Sequence, residues 1–290
     1  VVKHDFSFTK ICGQPQRIIA LDPQALDLLL ALGIEPVGYA EDRRALVGSP
    51  ETGKSIEGVK YLGNRLSINP VHIGISQSPS LEAILVLKPD LIVGTYIGSA
   101  EYQLFNKIAP TLLPLELEAP DQWRTNIQIL GQALQREEIA SAVLESHDRR
   151  IRNTQANLAN HQGESILLLS MSELSDIEAF SQDSFAGKLL QDIGFTLLVP
   201  VRLGFANEET VISLEVLPQL KPDRIIVMAS GNSKVNQIHQ IWQKNSILRS
   251  IPAYQTNRVY FVDYQLWSRI TGAIAAELIL DDIQKFLLPD

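Results

Sequence analysis

Apolar residues fall into two patterns along this chain, short unbroken runs and longer stretches of helical period. Residues 17–21 (RIIAL) form the first unbroken run and read as a buried strand. Asp22-Pro23 closes that run, and Asp22 is placed to cap a helix carrying Ala25, Leu26, Leu28, Leu29, Leu30 and Leu32. Gly33 ends the helix and residues 37–39 begin the next strand. Strand, helix and strand in so short a span form the repeating unit of a parallel sheet. The first dozen residues read as an arm that orders only by docking. Short strand ends are expected at 61–63 and 72–74, then a helix over 82–87 capped by Ser78 or Ser80, and a strand at 91–93. A helix over 101–108, a strand over 111–115 and a helix over 120–134 follow. Beyond the middle of the chain, strands are expected at 165–169, 195–199, 224–228 and 258–262. Helices are expected around Leu189, over 235–241 and over 273–288, and residues 200–210 read as a polar loop.

The longest helical pattern, residues 135–161, contains neither proline nor glycine, and Ile139, Val143, Leu144, Ile151 and Leu158 recur on one stripe. Such a helix would be roughly 40 Å long, more than one α/β layer needs. The flanks on its two sides resemble each other. Ser80-Leu81-Glu82 and Leu87-Lys88-Pro89-Asp90 return as Ser213-Leu214-Glu215 and Leu220-Lys221-Pro222-Asp223, seven identities at one offset of 133 residues. Each copy leads into an apolar strand. The expected architecture is therefore α/β: two Rossmann-like lobes with mainly parallel sheets, 1–134 and 162–290, joined by one rigid helix, 135–161, with a ligand cleft between lobes.

Charge and composition narrow the function. A formal charge of −8 without a basic block argues against nucleic acid, and no apolar run is long enough to span a bilayer. The lone Cys12 excludes an internal disulfide and reads as a small buried apolar residue. Nucleophilic hydrolysis has no support, because there is no GxSxG turn. The histidines at 4, 72, 147, 161 and 239 form no HExxH motif. A protein-held zinc or manganese would need distant groups to converge. Phosphate-cradling glycine loops are absent as well.

Arginines and aromatic rings, in contrast, recur after presumed strand ends: Arg43, Tyr96, Arg202, Phe205, Tyr264, Trp267 and Arg269. Arginine grips carboxylates with fixed, paired donors while rings cover an organic scaffold, so these positions suit an anionic organic ligand. For Arg43 and its neighbour Arg44, two solvated side chains on a turn are the competing reading. For Trp267 and Arg269 it is lobe packing. Glu82 and Glu215 each lie in the first turn of a helix. Compensation of the helix dipole accounts for each alone, at about 0.3–1 kcal/mol. Engagement of basic patches on a pseudo-symmetric partner accounts for their duplication.

Five segments in order, RIIALDPQALDLLLALGIEPVGYA, SPSLEAILVLKPDLIVG, the central helix, SLEVLPQLKPDRIIV and RVYFVDYQLWSRITGAIAAELILDDIQKFL, give the chain a resemblance to a known family. It resembles the periplasmic substrate-binding proteins of iron–siderophore and vitamin B12 ABC importers, over essentially its whole length. Within them it is most similar to the ferric citrate and ferric hydroxamate branch. The resemblance implies a non-enzymatic carrier that captures a ferric siderophore and delivers it to a permease. It implies no intrinsic cofactor, iron held only through the siderophore, a monomer, and a periplasmic location with or without a lipoprotein tether at the N-terminus. Glu82 and Glu215 match the family's permease-docking glutamates, Tyr96 a loop that lines its pockets, and Trp267 and Arg269 the aromatic and basic positions before the last helix. Arg202 is a looser match. One position departs. Citrate binders of this kind carry Gly-Thr-Arg before Pro-Ser-Leu-Glu, whereas this chain has Gly74-Ile75-Ser76, with Arg65 as the candidate replacement. Citrate-hydroxamate and other siderophores therefore stay open. The alternatives are the same module carrying vitamin B12, haem or a bare metal ion, a two-lobed enzyme such as a chelatase or glycosyltransferase, and a scaffold protein.

Overall fold

A computed structural model describes residues 2–4, 7–11, 13–41, 60–95, 99–112, 119–199 and 209–287. The chain divides into two compact units, Val1–His147 with Arg269–Ala275, and Asp148–Ser268 with Ala276–Asp290.

The first unit opens with an antiparallel hairpin of β1 (Val2–His4) and β2 (Ser7–Thr9). The Thr9 hydroxyl donates to the Thr111 carbonyl at 2.7 Å, so the expected arm is a docked ribbon. A six-stranded sheet follows, built from β3 (Ile18–Ala20), β4 (Gly38–Glu41), β5 (Val71–Ile75), β6 (Ser78–Pro79), β7 (Leu91–Val93) and β8 (Thr111–Leu112). Its order is β6-β5-β4-β3-β7-β8, and every pairing but β5 with β6 is parallel. Helix α1 (Pro23–Ala31) starts where expected: the Ala25 amide donates to Asp22 Oδ1 at 2.7 Å. Helix α2 (Leu81–Leu87) is capped by Ser80 rather than Ser78, and α3 (Ser99–Phe105) and α4 (Trp123–Leu134) complete the set. Ile19, Leu21, Ala40, Ile73, Ile84, Ile92 and Phe105 form the core on one face. The strand end expected at 61–63 is instead a turn, with Tyr61 at φ 67° and a 3-10 turn over Gly63–Arg65. Leu62 is buried there, but by a turn folding over it and not by pleated pairing.

The central helix exists as α5 (Glu137–Asn157), with a 3-10 turn at Ala159–His161, and the boundary between units falls inside it. The second unit's sheet contains β9 (Ser165–Glu173), β10 (Asp176–Phe180), β11 (Thr196–Leu197), β12 (Glu209–Val211), β13 (Arg224–Ala229) and β14 (Val259–Asp263). The order is β12-β10-β9-β13-β14, with β11 also on β9. β13 pairs in parallel with both its neighbours, while β10 is antiparallel to both of its own. β10 was not expected, and β12 occupies part of the segment read as loop. Helices α6 (Phe185–Asp192, capped by Ser184), α7 (Leu217–Leu220), α8 (Val235–Lys244), α9 (Ser246–Arg249), α10 (Pro252–Gln255) and α11 (Ala273–Leu287) pack around this sheet or complete the chain. Within this unit Arg150 of α5 is ion-paired to Glu277 and Asp281 of α11. No described helix is long and apolar enough to cross a membrane.

The repeated Leu-Lys-Pro-Asp segment has the same job in both units. Lys88 (φ 47°) and Lys221 (φ 45°) end their helices in the left-handed conformation. Proline then prevents the helix from resuming. The aspartate that follows clamps the start of a core strand: Asp90 accepts from the Gln16 and Arg17 amides at 2.8 Å each, and Asp223 from the Ser165 amide at 2.8 Å. The Ser165 hydroxyl and amide hold the Asp223 pKa below its ordinary value.

Candidate ligand-binding and docking sites

In the first sheet the chain builds leftward from β3 through β4 and β5, then returns to place β7 on the other side of β3. Ligands of open α/β sheets bind where the strand order reverses, outside the carboxyl ends of the flanking strands. Asp22 stands at that point. Its Oδ1 caps α1, and its Oδ2 accepts from the Thr95 amide, directly after β7, at 2.5 Å. One carboxylate thus ties together the two loops that leave β3 and β7. Burial raises its pKa, an effect the Ala25 and Thr95 amides partly offset.

Asp27, wholly buried on α1, makes a second tie. Oδ1 accepts from the Ile274 amide at 3.0 Å and Oδ2 from the Ala275 amide at 2.9 Å, in the first turn of α11. These amides have no intrahelical acceptor, so a side chain 247 positions away in sequence supplies it. Burial pushes the Asp27 pKa up to about 7, against the pull of both amides and of the Arg65 guanidinium. A carboxyl poised near neutrality is a candidate proton shuttle. Here both oxygens are occupied by backbone donors, so its role is to anchor. Gly272 is obligatory beside it, since a Cβ there would come within 2.2 Å of Asp27 Oδ1.

At the end of β4, the Tyr39 hydroxyl donates to Glu41 Oε1 at 2.7 Å, both residues buried. The Ser76 amide donates to the Glu41 carbonyl at 2.9 Å, so the position where an arginine was expected lies at this strand end. Arg65 is exposed on its 3-10 turn, close enough to Asp27 to stabilise the carboxylate.

In the second unit, β14 ends at Asp263, and a single π-helical turn, Gln265–Arg269, follows. Such turns are rare and cluster at functional sites. Tyr264 is buried edge-on to Phe180, with ring centroids 6.4 Å apart. Trp267 is only 1% exposed, and its Nε1 donates to Asp282 Oδ2 at 3.3 Å. Arg269, half-buried, counts with the first unit. Arg43, Tyr96, Arg202 and Phe205, together with Cys12, lie outside the described residues. Sequence reasoning missed Asp27, whose acidic side chain in the middle of an otherwise apolar helix face was the available signal.

At the opposite end of the second sheet, Arg224 holds Glu164 (Nε to Oε2, 2.6 Å) and the Tyr260 hydroxyl (2.7 Å). Burial raises the Glu164 pKa, but the bonds from Arg224 and His161 outweigh it, so the group stays below its ordinary value. This network braces strand starts. Among the described residues, no three His, Cys, Asp or Glu side chains gather as metal ligands.

Glu82 lies in the first turn of α2 and Glu215 in the 3-10 turn Leu214–Val216 that opens α7. Both are exposed, and among the described residues neither carboxylate makes a hydrogen bond or ion pair. Asp90 and Asp223, the other repeated acids, are both held by backbone amides at the start of a core strand.

Residues 18–266 match the family described as "Periplasmic binding protein". The chain is 28% identical to the Fe(3+)-citrate-binding protein YfmC of Bacillus subtilis, over 98% of its own length and 85% of that protein. It is 29% identical to the Fe(3+) dicitrate-binding periplasmic protein FecB of Escherichia coli, over 93% and 84%. Among solved structures, Staphylococcus aureus SirA complexed with staphyloferrin B superposes with a TM-score of 0.76 at 24% identity, covering 99% of this chain and 97% of that one. That fold, the two sheets joined through long helices and the match across most of the chain agree: the chain belongs to the periplasmic binding protein family.

Proposed function

We propose that this chain captures a ferric siderophore, of citrate or citrate-hydroxamate type, and delivers it to an ABC permease without making or breaking bonds. The likeness to YfmC and FecB, named as ferric citrate binders, supports the ligand class. The siderophore supplies the oxygen ligands to iron, and the protein recognises the outer surface of the complex. The ligand-facing set is Arg43, Arg65, Tyr96, Arg202, Phe205 and Arg269, with Tyr264 and Trp267 fixing the π-helical turn that carries Arg269. The periplasm is the working location. The chain acts as a monomer.

Glu82 and Glu215 are the permease-docking groups, and one observation carries that assignment. Of the repeated acidic residues, Asp90 and Asp223 have internal partners and the two glutamates have none among the described residues. A structural role alone gives no reason to repeat them.

The test is a fluorescence titration of the purified chain with ferric citrate, ferric schizokinen, ferric aerobactin, ferrichrome, haem and cobalamin. Saturable binding of a ferric citrate or citrate-hydroxamate chelate is expected. Binding of only haem or cobalamin would overturn the ligand assignment. For delivery, the double reversal Glu82→Arg/Glu215→Arg should abolish uptake into vesicles bearing the cognate importer while ligand affinity stays unchanged.

A further inference from the structure

The two repeats that carry the docking glutamates differ in one respect. On α2, Ile84 is fully buried and Ala83 and Leu87 pack on the core, so the helix already has its inward face. Its outward face is nonetheless apolar: Leu81 is 37% exposed, Leu85 56% and Val86 78%. Glu82 shares this face, one helical turn from Val86. At the matching positions of the second unit the sequence reads Leu214, Glu215, Pro218 and Gln219. There Leu214, Val216 and Leu220 pack against the core. Gln219 is exposed, and its Nε2 donates to the Glu215 carbonyl at 3.1 Å. The positions matching the exposed Leu85 and Val86 are thus the half-buried Pro218 and the exposed Gln219.

A solvated helix gains nothing from an outward Leu-Glu-Leu-Val face, and exposed apolar patches on the order of a few hundred Å² mark interaction sites. We infer that the two docking sites read unlike surfaces. The α2 face seats Leu81, Leu85 and Val86 in an apolar hollow of one permease subunit, with a cation at its rim for Glu82. The Glu215 turn makes a polar, ionic contact with the other subunit. The inference rests on the docking role proposed above for the two glutamates, and it adds a defined orientation: the α2 contact suits only the subunit with the apolar hollow. The occupant is a permease subunit, because the patch is continuous with an exposed carboxylate whose repeat-mate has no such patch.

The experiment measures docking of the full chain to its cognate permease complex in lipid nanodiscs, identified as the importer whose ATPase the wild-type chain stimulates, across a range of NaCl concentrations. Leu85→Gln/Val86→Gln, which copies the polarity of the second repeat, should weaken docking about tenfold or more at every salt concentration. Glu215→Gln should weaken docking mainly at low salt and flatten its salt dependence. Ligand affinity and thermal stability should be unchanged in both variants, since the altered side chains are exposed. Wild-type docking by Leu85→Gln/Val86→Gln overturns the apolar contact. If Glu82→Arg/Glu215→Arg also docks normally, the docking reading itself fails; if that variant is inert, only the present inference fails. Sedimentation of the chain alone covers the remaining occupant: a dimer dissolved by Leu85→Gln/Val86→Gln would reassign the patch to self-association.

Discussion

Removing the Asp27 carboxyl is the sharpest test of how the first unit is held together. Its two oxygens accept from the Ile274 and Ala275 amides at 3.0 and 2.9 Å, and the side chain is fully buried. Asp27→Ala leaves two buried N–H groups without acceptors, each costing about 1–3 kcal/mol. The sum, about 3–5 kcal/mol after partial relaxation, is large for one substitution. Asp27→Asn keeps one acceptor and turns an NH₂ toward the other amide, so about 2–3 kcal/mol is expected. A chain of two units need not unfold in one step, so urea denaturation should be paired with hydrogen exchange at the Ile274 and Ala275 amides. Both amides should lose protection in Asp27→Ala. The charge adds a pH signature. With its pKa raised from 3.8 to about 7, the folded state binds the Asp27 proton more tightly than the unfolded state does. That contribution is complete below about pH 4 and is lost as pH rises toward 7, by at most about 1.4 kcal/mol per unit. Asp27→Asn should lack this slope. An Asp27→Ala protein within about 0.5 kcal/mol of wild type, with both amides still protected, would refute the anchor.

Other perturbations test separate parts. His72 is buried opposite Tyr39, and burial lowers its pKa, an effect that the nearby Gly74 backbone only partly offsets. The unfolded chain therefore takes up a proton first as pH falls below about 6.5, and wild type loses stability toward acid. His72→Phe should remove that loss and be neutral to within about 1 kcal/mol at pH 8. Asp223→Ala should cost about 0.5–1.5 kcal/mol in denaturation experiments, since water can take over the exposed Ser165 amide, and more above the Asp223 pKa than below it, because only the depressed, ionised form adds stability. Replacing Arg269 or Trp267 by alanine should weaken siderophore binding about tenfold or more in titration. Trp267→Ala, which empties a buried site, should also cost about 3–5 kcal/mol of folding stability.

The legible part of the fold was whatever a local signal determines. Apolar runs gave the parallel strands, Asp22 and Ser80 gave helix starts, and the proline- and glycine-free stretch gave α5. β10 was missed although Ile177 and Ala179 alternate with exposed or half-buried acids, because a five-residue strand beside a longer run is easily read as that run's loop. The turn at Tyr61 was misread for the opposite reason: Leu62 is as buried as a strand residue, but burial alone carries no period.

The site was less legible than the fold because its decisive contacts join residues far apart in sequence. Asp27 looks in sequence like a blemish on an apolar helix face, and only the arrival of α11 in space explains it. Trp267 looked like a ring for a ligand, and the structure ties its indole to Asp282. The repeat is the exception, since comparison of its two copies separates roles that either copy alone would blur. Residues serving the strand start, Lys88-Pro89-Asp90 and Lys221-Pro222-Asp223, share a left-handed helix end, and in each copy the aspartate accepts from backbone N–H at a strand start. Glu82 and Glu215 are kept in both copies without such a bond among the described residues, and the docking proposal rests on that difference. Where the copies part, at Leu85-Val86 against Pro218-Gln219, the outside surfaces they meet should part as well.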